Sequence, residues 1–272
     1  MKLGRKIILV ALFSCLMISY VAEGHISIIG GLSHEKKAIP GEVYKGSILI
    51  KNSGNNTLEI KIYQTDYLYY FNGTNDYGPP GKLKRSNADW LSFNPHQMII
   101  PPESTATINY TVTTPSDPNL VGTYWSMLMV EEIPKSSPES TRAEEIEPQV
   151  GITQIVRYGI QMNTHIGNSG ERKLKFIETK LLTENEGRIL QVDVENTGQM
   201  WLKTYLWAEL YDNTGRYIGR FEGGRKRIHP GASVRFKVDL NNVPEGTYEA
   251  LIVADCGGDD VFGANYTLKF EK

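Results

Sequence analysis

The feature that most constrains this chain is an internal repeat. Gly122-Thr123-Tyr124-Trp125-Ser126-Met127-Leu128-Met129-Val130 returns as Gly246-Thr247-Tyr248-Glu249-Ala250-Leu251-Ile252-Val253-Ala254. Upstream, Ile100-Pro101-Pro102-Glu103-Ser104 pairs with Ile228-His229-Pro230-Gly231-Ala232-Ser233 if one residue is inserted. Ser47 to Gly54 pairs in the same way with Leu190 to Gly198. Three blocks in one order, each set ending on a Gly-Thr-Tyr strand, imply one β unit used twice. The first copy carries extra sequence, about where Tyr67 to Asn94 lies.

The residues between the blocks agree. Period-2 alternation and β-branched residues dominate, and no long helical pattern appears. The alternation predicts strands at 25–29, 44–51, 58–70, 98–100, 105–113, 124–132 and 150–164 in the first unit. In the second it predicts 174–182, 188–195, 203–211, 217–221, 233–240, 247–254 and 266–270. About seven strands per unit at this spacing read as an immunoglobulin-like sandwich. The predicted fold class is all-β, two immunoglobulin-like β-sandwiches in tandem. Two long loops interrupt the first unit. Residues 71–89 are rich in Gly, Pro and Asn, and 134–148 are acidic and expected to be mobile.

The chain has 272 residues, enough for two such units to bury cores without disulfides. Hydrophobic content of 40% against 22% charged residues is that of a globular protein. The net charge of −2 gives no concentrated positive field for nucleic acid. Lys2, Arg5 and Lys6, the apolar run Ile7 to Val21, and Ala22-Glu23-Gly24 read as a secretory signal cut before His25. The expected organisation is a signal peptide at 1–24, one sandwich at 25–166 and a second at 167–272. The apolar run is shorter than the ~20 residues of a membrane span. No second such run follows, so the mature chain is expected to be an exported protein with no span. Cys256 is then the only mature cysteine, read as a structural thiol at a strand end.

No catalytic pattern emerges. His25, His34, His96, His165 and His229 have no metal-like spacing, and no nucleophile elbow or phosphate loop is present. Glu131-Glu132 and Glu144-Glu145 read as solvated charge rather than acid/base pairs. Asp255, Asp259 and Asp260 read as a hairpin turn rather than a calcium loop. No enzyme activity, cofactor or metal is expected. Tyr67, Tyr69 and Phe71 share one face of a strand beside the first long loop, so they are a candidate aromatic platform for sugar or protein.

The segment after the acidic loop is the strongest candidate for function. Val150, Ile152, Val156, Tyr158, Ile160 and Met162 alternate with Gly151, Thr153, Arg157, Gly159 and Gln161. Burial of one face in its own sandwich explains such a strand. So does a strand at a sheet edge that offers apolar residues and main-chain bonds to another chain.

With the signal peptide, the two units and Tyr124-Trp125-Ser126-Met127-Leu128-Met129-Val130-Glu131-Glu132-Ile133-Pro134, the chain resembles PapD-like pilus-assembly chaperones. The resemblance implies a periplasmic chaperone that lends this strand to incomplete pilus or surface-protein subunits. Val150, Ile152, Val156, Tyr158 and Ile160 would be the donor positions. It also implies a basic pair that holds the client's terminal carboxylate. Arg157 is the nearest match on the last strand, with Gly159 standing where a second basic residue is expected. His34, Lys36 or Lys37 would serve on the first strand, and Lys36 is paired with Arg157 as the candidate anchor. A second resemblance rests on Ala38-Ile39-Pro40-Gly41-Glu42, Asn52-Ser53-Gly54, and Trp90 with Pro101-Pro102. These are similar to two-domain extracellular proteins of WxL cell-surface complexes. That implies an adhesion or cell-wall-binding module, normally with a membrane anchor, which the residues up to Lys272 lack.

Overall fold

A computed structural model describes residues 26–135, 137–141, 155–184 and 187–270. The expected signal segment and two expected donor positions, Val150 and Ile152, lie outside them.

Ten strands build the first sandwich: β1 (Ile26–Ile29), β2 (Ser33–Ala38), β3 (Val43–Asn52), β4 (Leu58–Tyr69), β5 (Asn75–Gly78), β6 (Leu91–Asn94), β7 (Gln97–Ile100), β8 (Thr105–Thr113), β9 (Gly122–Glu132) and β10 (Arg157–Ile166). One sheet runs β1-β3-β8-β6. The other runs β2-β10-β9-β4-β5, with β7 also on β4. Their inner faces close on Ile48, Ile50, Ile60, Ile108, Leu128 and Ile160. The second sandwich has β11 (Leu174–Glu184), β12 (Gly187–Asn196), β13 (Leu202–Asp212), β14 (Tyr217–Ile228), β15 (Ser233–Asp239), β16 (Gly246–Asp255) and β17 (Val261–Phe270). Its sheets run β11-β12-β15 and β14-β13-β16-β17, around Leu190, Val192, Leu206, Phe236, Val238 and Ile252. The architecture is all-β, two immunoglobulin-like sandwiches in tandem.

The repeat has a structural counterpart. Each Gly-Thr-Tyr strand, β9 and β16, is central in its sheet, between the last strand of its unit and the strand after the asparagine turn. The asparagines make corresponding bonds. Asn52 donates from Nδ2 to the carbonyls of Asn56, Ile100 and Pro101, and accepts from Gly54 N–H. Asn196 donates to the carbonyls of Met200 and Ile228, and accepts from Gly198 N–H. Each side chain thereby ties the end of one sheet to the other, and both are fully buried.

Three short strands depart from the sequence reading. The expected loop 71–89 contains β5 and a 3₁₀ turn at Ala88–Trp90, shaped by Asp66. That buried carboxylate accepts from the N–H groups of Gly81, Lys82 and Leu83 and from Ser86 Oγ. β6, which pairs with β8, was also not expected. β2 was missed because Ser33-His34-Glu35-Lys36-Lys37 has no apolar alternation. It exists because the first strand changes sheets. β1 pairs antiparallel with β3, the chain turns at Gly30 with φ +100°, and β2 then pairs parallel with β10. A left-handed φ of that size favours glycine.

Candidate functional site: a strand edge and a cleft between the sandwiches

The sheet change leaves part of β10 uncovered. Along its whole length β10 pairs with β9, from Arg157 opposite Glu131 to Ile166 opposite Gly122. β2 covers the other edge only from Gln161, opposite Ser33, to Ile166. Among the described residues, Arg157 to Ile160 have no strand on that side. Gln161 N–H donates to Leu32 O across this edge. Main-chain groups alternate sides along a strand, so Arg157 and Gly159 point their N–H and C=O groups the same way, outward. Two exposed apolar side chains bracket the gap. Leu32 stands at its closed end at 47% exposure and Ile155 at its open end at 46%.

The expected donor positions are placed unequally. Ile160 is fully buried in the core of its own sandwich and so is not free to enter another chain. Tyr158 is half-buried, packed on that core, with its hydroxyl donating to Ile26 O at 2.8 Å. Val156 is half-buried and precedes β10, beside exposed Ile155. Gly159 packs against Met127: a Cβ there would lie 2.2 Å from Met127 Cε, so a larger residue needs the end of that flexible side chain to move.

The expected anchor pair does not meet. Lys36 lies opposite Thr164, seven positions along β10 from Arg157, or about 23 Å at strand rise. Arg157 is also committed elsewhere. Its Nε donates to Glu131 Oε2 at 2.6 Å, and Tyr63 Oη donates to the same oxygen at 2.8 Å. Burial pushes the Glu131 carboxyl up, but the Arg157 and Tyr63 bonds and the charge of Lys61 outweigh it and hold it below the usual range. Lys36 instead lines a cleft of about 400 Å³ between the sandwiches, with Lys37, His165, Arg172, Trp201 and Lys203. Glu35 is on the same wall, bridging Arg227 at 3.0 Å and Lys203 at 3.8 Å.

His165 forms the floor of this cleft. Thr123 Oγ1 accepts from Trp201 N–H and lies 2.9 Å from His165 Nδ1. Thr123 Oγ1 also donates toward Met200 Sδ at 3.7 Å, which leaves Nε2 as the other ring nitrogen of His165. That atom is buried and has no hydrogen-bond partner among the described residues. Burial, with Lys203, Lys37 and Arg227 nearby and only Glu35 opposing, pushes the His165 pKa down to about 4.

Behind the cleft lies a joint that the sequence reading missed. His229 stacks on Trp125, with centroids 4.0 Å apart and an interplanar angle of 23°. Its Nε2 lies 2.7 Å from Asn163 Oδ1 and its Nδ1 lies 3.1 Å from Tyr69 Oη. Tyr69 Oη also donates to Arg227 O at 2.9 Å. Thr123 N–H donates to Gln199 O at 2.8 Å, a main-chain bond between the sandwiches.

This packing changes the role of the expected aromatic platform. Tyr69 is spent in the joint. Phe71 N–H donates to Ser233 Oγ, and the guanidinium of Arg235 lies 5.4 Å over the Phe71 ring. Tyr67 packs on Tyr77, centroids 4.8 Å apart, and edge-on against Trp125. β4 and the turn after it reach the second sandwich, so two of these three rings are contacts between the sandwiches rather than a free surface. A sequence signal existed: Asn163 and His165 are polar residues on the outward face of a strand that ends at the sandwich junction.

The remaining expectations fall as follows. Cys256 is half-buried on the cleft wall, and burial pushes its thiol up. Among the described residues, no group of three or more His, Cys, Asp or Glu could hold a metal, and no helix is long and apolar enough to cross a membrane.

No family model and no curated protein matches the chain. Many of the solved structures similar to it are PapD-like fimbrial chaperones, covering about 90% of the chain. One is the class 5 fimbriae chaperone CfaA, at 12% identity and TM-score 0.47, covering 91% of this chain and 100% of that one. Another is the YadV chaperone, at 16% identity and TM-score 0.43, covering 90% and 100%. A third is a structure of the Salmonella enterica SafA pilin in complex with the SafB chaperone, at 13% identity and TM-score 0.43, covering 89% and 96%.

Proposed function

We propose that this is an exported, non-enzymatic chaperone that binds incomplete β-subunits of a pilus or surface fibre by adding a strand to the uncovered edge of β10. The observation that carries the reading is the gap at Arg157 to Ile160, where β2 stops short. An extended client segment would bond to the outward main-chain groups of Arg157 and Gly159. Leu32, Ile155 and Val156 would give it apolar contact. Ile160 serves instead to fix the strand in its own sandwich. A client's terminal carboxylate has a place in the cleft, where Lys36 stands with Lys37 and Lys203 rather than with Arg157. The work proposed is periplasmic.

Val156→Asp tests this with two measurements. A buried aliphatic side chain is worth roughly 1.5–3 kcal/mol, so an aspartate in the seam should abolish capture of secreted subunits. Thermal melting of the free protein shows whether the fold survives. Near-normal melting with lost capture is the expected result. Normal melting with undiminished capture removes the strand-lending mechanism and favours a surface-adhesion module.

A further inference from the structure

His165 and His229 belong to different sandwiches and meet across one joint, with Trp201 between them. Its ring lies 4.6 Å from His165 and 5.8 Å from His229. His229 is fully buried and His165 is 5% exposed. Asn163 Nδ2 donates to Ser33 Oγ at 3.1 Å, which turns its Oδ1 toward His229 and makes His229 Nε2 the donor. Both imidazoles are buried in fixed orientations, and burial opposes the charged form of each.

The surroundings oppose a second proton on either ring. From β2 come Glu35 and Lys37, from β13 Lys203 and from β14 Arg227; Tyr69 of β4 and Trp125 of β9 are uncharged. Glu35 is the one carboxylate among these, and Arg227 and Lys203 already engage it. An imidazolium buried there would face cations and lose hydration. Separating the sandwiches would hydrate it. Protons thus bind the separated arrangement better than the joined one, and that difference in affinity shifts the balance.

We propose that the joint is acid-labile: the two sandwiches move as one body near neutrality and uncouple on acidification while each stays folded. The contacts most exposed to this are the Trp125 stack, the Tyr69 hydroxyl and the Thr123–Trp201 bond, which together shape the cleft.

The test is a distance between the sandwiches followed against pH in the full chain. Spin labels at K45C and K237C, both exposed positions, are read in a C256S background, with far-UV circular dichroism in parallel. The labels should show a longer, broader distribution below about pH 5 while the β signal is unchanged. In the H165Q/H229Q variant that transition should fall by about one pH unit or more. Distance and β signal changing together in the unsubstituted chain would mean simple unfolding and overturn the proposal, whether or not the double variant folds. E35Q separates the neighbouring carboxylate. A transition that disappears in E35Q but is unmoved in H165Q/H229Q assigns the sensor to the carboxylate and overturns the histidine joint.

Discussion

Asn52 and Asn196 occupy the same place in two sandwiches: each buried amide binds carbonyls of the turn and strand end that close its own unit. The correspondence makes stability separable. Asn52→Ala strands carbonyls in the first sandwich and Asn196→Ala does so in the second. Each should cost about 2–4 kcal/mol, because buried acceptors lose their donors. Urea unfolding of both variants checks this, with a loss under about 1 kcal/mol in either counting against the assignment.

Acid should destabilise the protein through its two buried histidines. Burial holds His165 down to about 4 and His229 to about 3, against an ordinary 6.5. Above that ordinary value neither state binds the extra protons, and the stabilisation is complete. As pH falls from about 6.5 toward 4, the unfolded chain takes up protons that the folded one refuses, and stability is lost. Two such groups give a slope approaching about 2.7 kcal/mol per pH unit. In His229→Gln the slope should drop by about half. Urea midpoints at several pH values measure it.

Much of the fold was legible in the sequence, and the reasons are particular. Ile252 and Ala254 alternate on a strand that buries one face, and Leu128 and Val130 lie on its counterpart, buried on both, so the repeat announced the β unit and its central strands. β2 was not legible, since Ser33 to Lys37 carries no apolar period and is a strand only because β10 supplies a partner. Residues 157–164 of the expected strand lie in β10, and the part of it before Ile155 lies outside the described residues. Which of its side chains stay home, as Ile160 does, depends on where the facing sheet ends. The joint was hidden because its members, Tyr69, Trp125, Asn163, Trp201 and His229, are far apart in sequence and meet only when two sandwiches pack.

Gly46 should resist substitution. An added Cβ would sit 2.3 Å from Tyr110 Oη and 2.4 Å from its ring, so the ring must leave its position over the glycine. That movement also breaks the 3.1 Å hydrogen bond between Tyr110 and His34. Gly46→Ala should lower stability by about 1–3 kcal/mol, and Gly46→Ala with Tyr110→Phe should recover little of it, since the clash is with the ring. Melting of the single and double variants decides the point.

Glu59 should govern the stem of the acidic loop. Its buried carboxylate accepts from Gln97 Nε2, Ser140 Oγ, Thr141 Oγ1 and Thr141 N–H. Burial pushes this carboxyl up, but the bonds from Thr141, Ser140 and Gln97 outweigh it and hold it down to about 2. Glu59→Gln removes the charge that strengthens them. Limited proteolysis within residues 134–141 should then run roughly tenfold faster, with the melting point of the sandwich little changed. Unchanged cleavage would show that the stem is held by something else.

The most direct test of the strand-lending account is amide hydrogen exchange resolved at Arg157, Tyr158, Gly159 and Ile160. Tyr158 and Ile160 face β9 and should be protected in the free protein, whereas Arg157 and Gly159 face the uncovered edge and should exchange fast. In complexes with a pilin-type subunit that lacks a strand of its own sandwich, the account predicts that Arg157 and Gly159 become as slow as their neighbours. A stable complex in which those two amides still exchange at their free rates would contradict it.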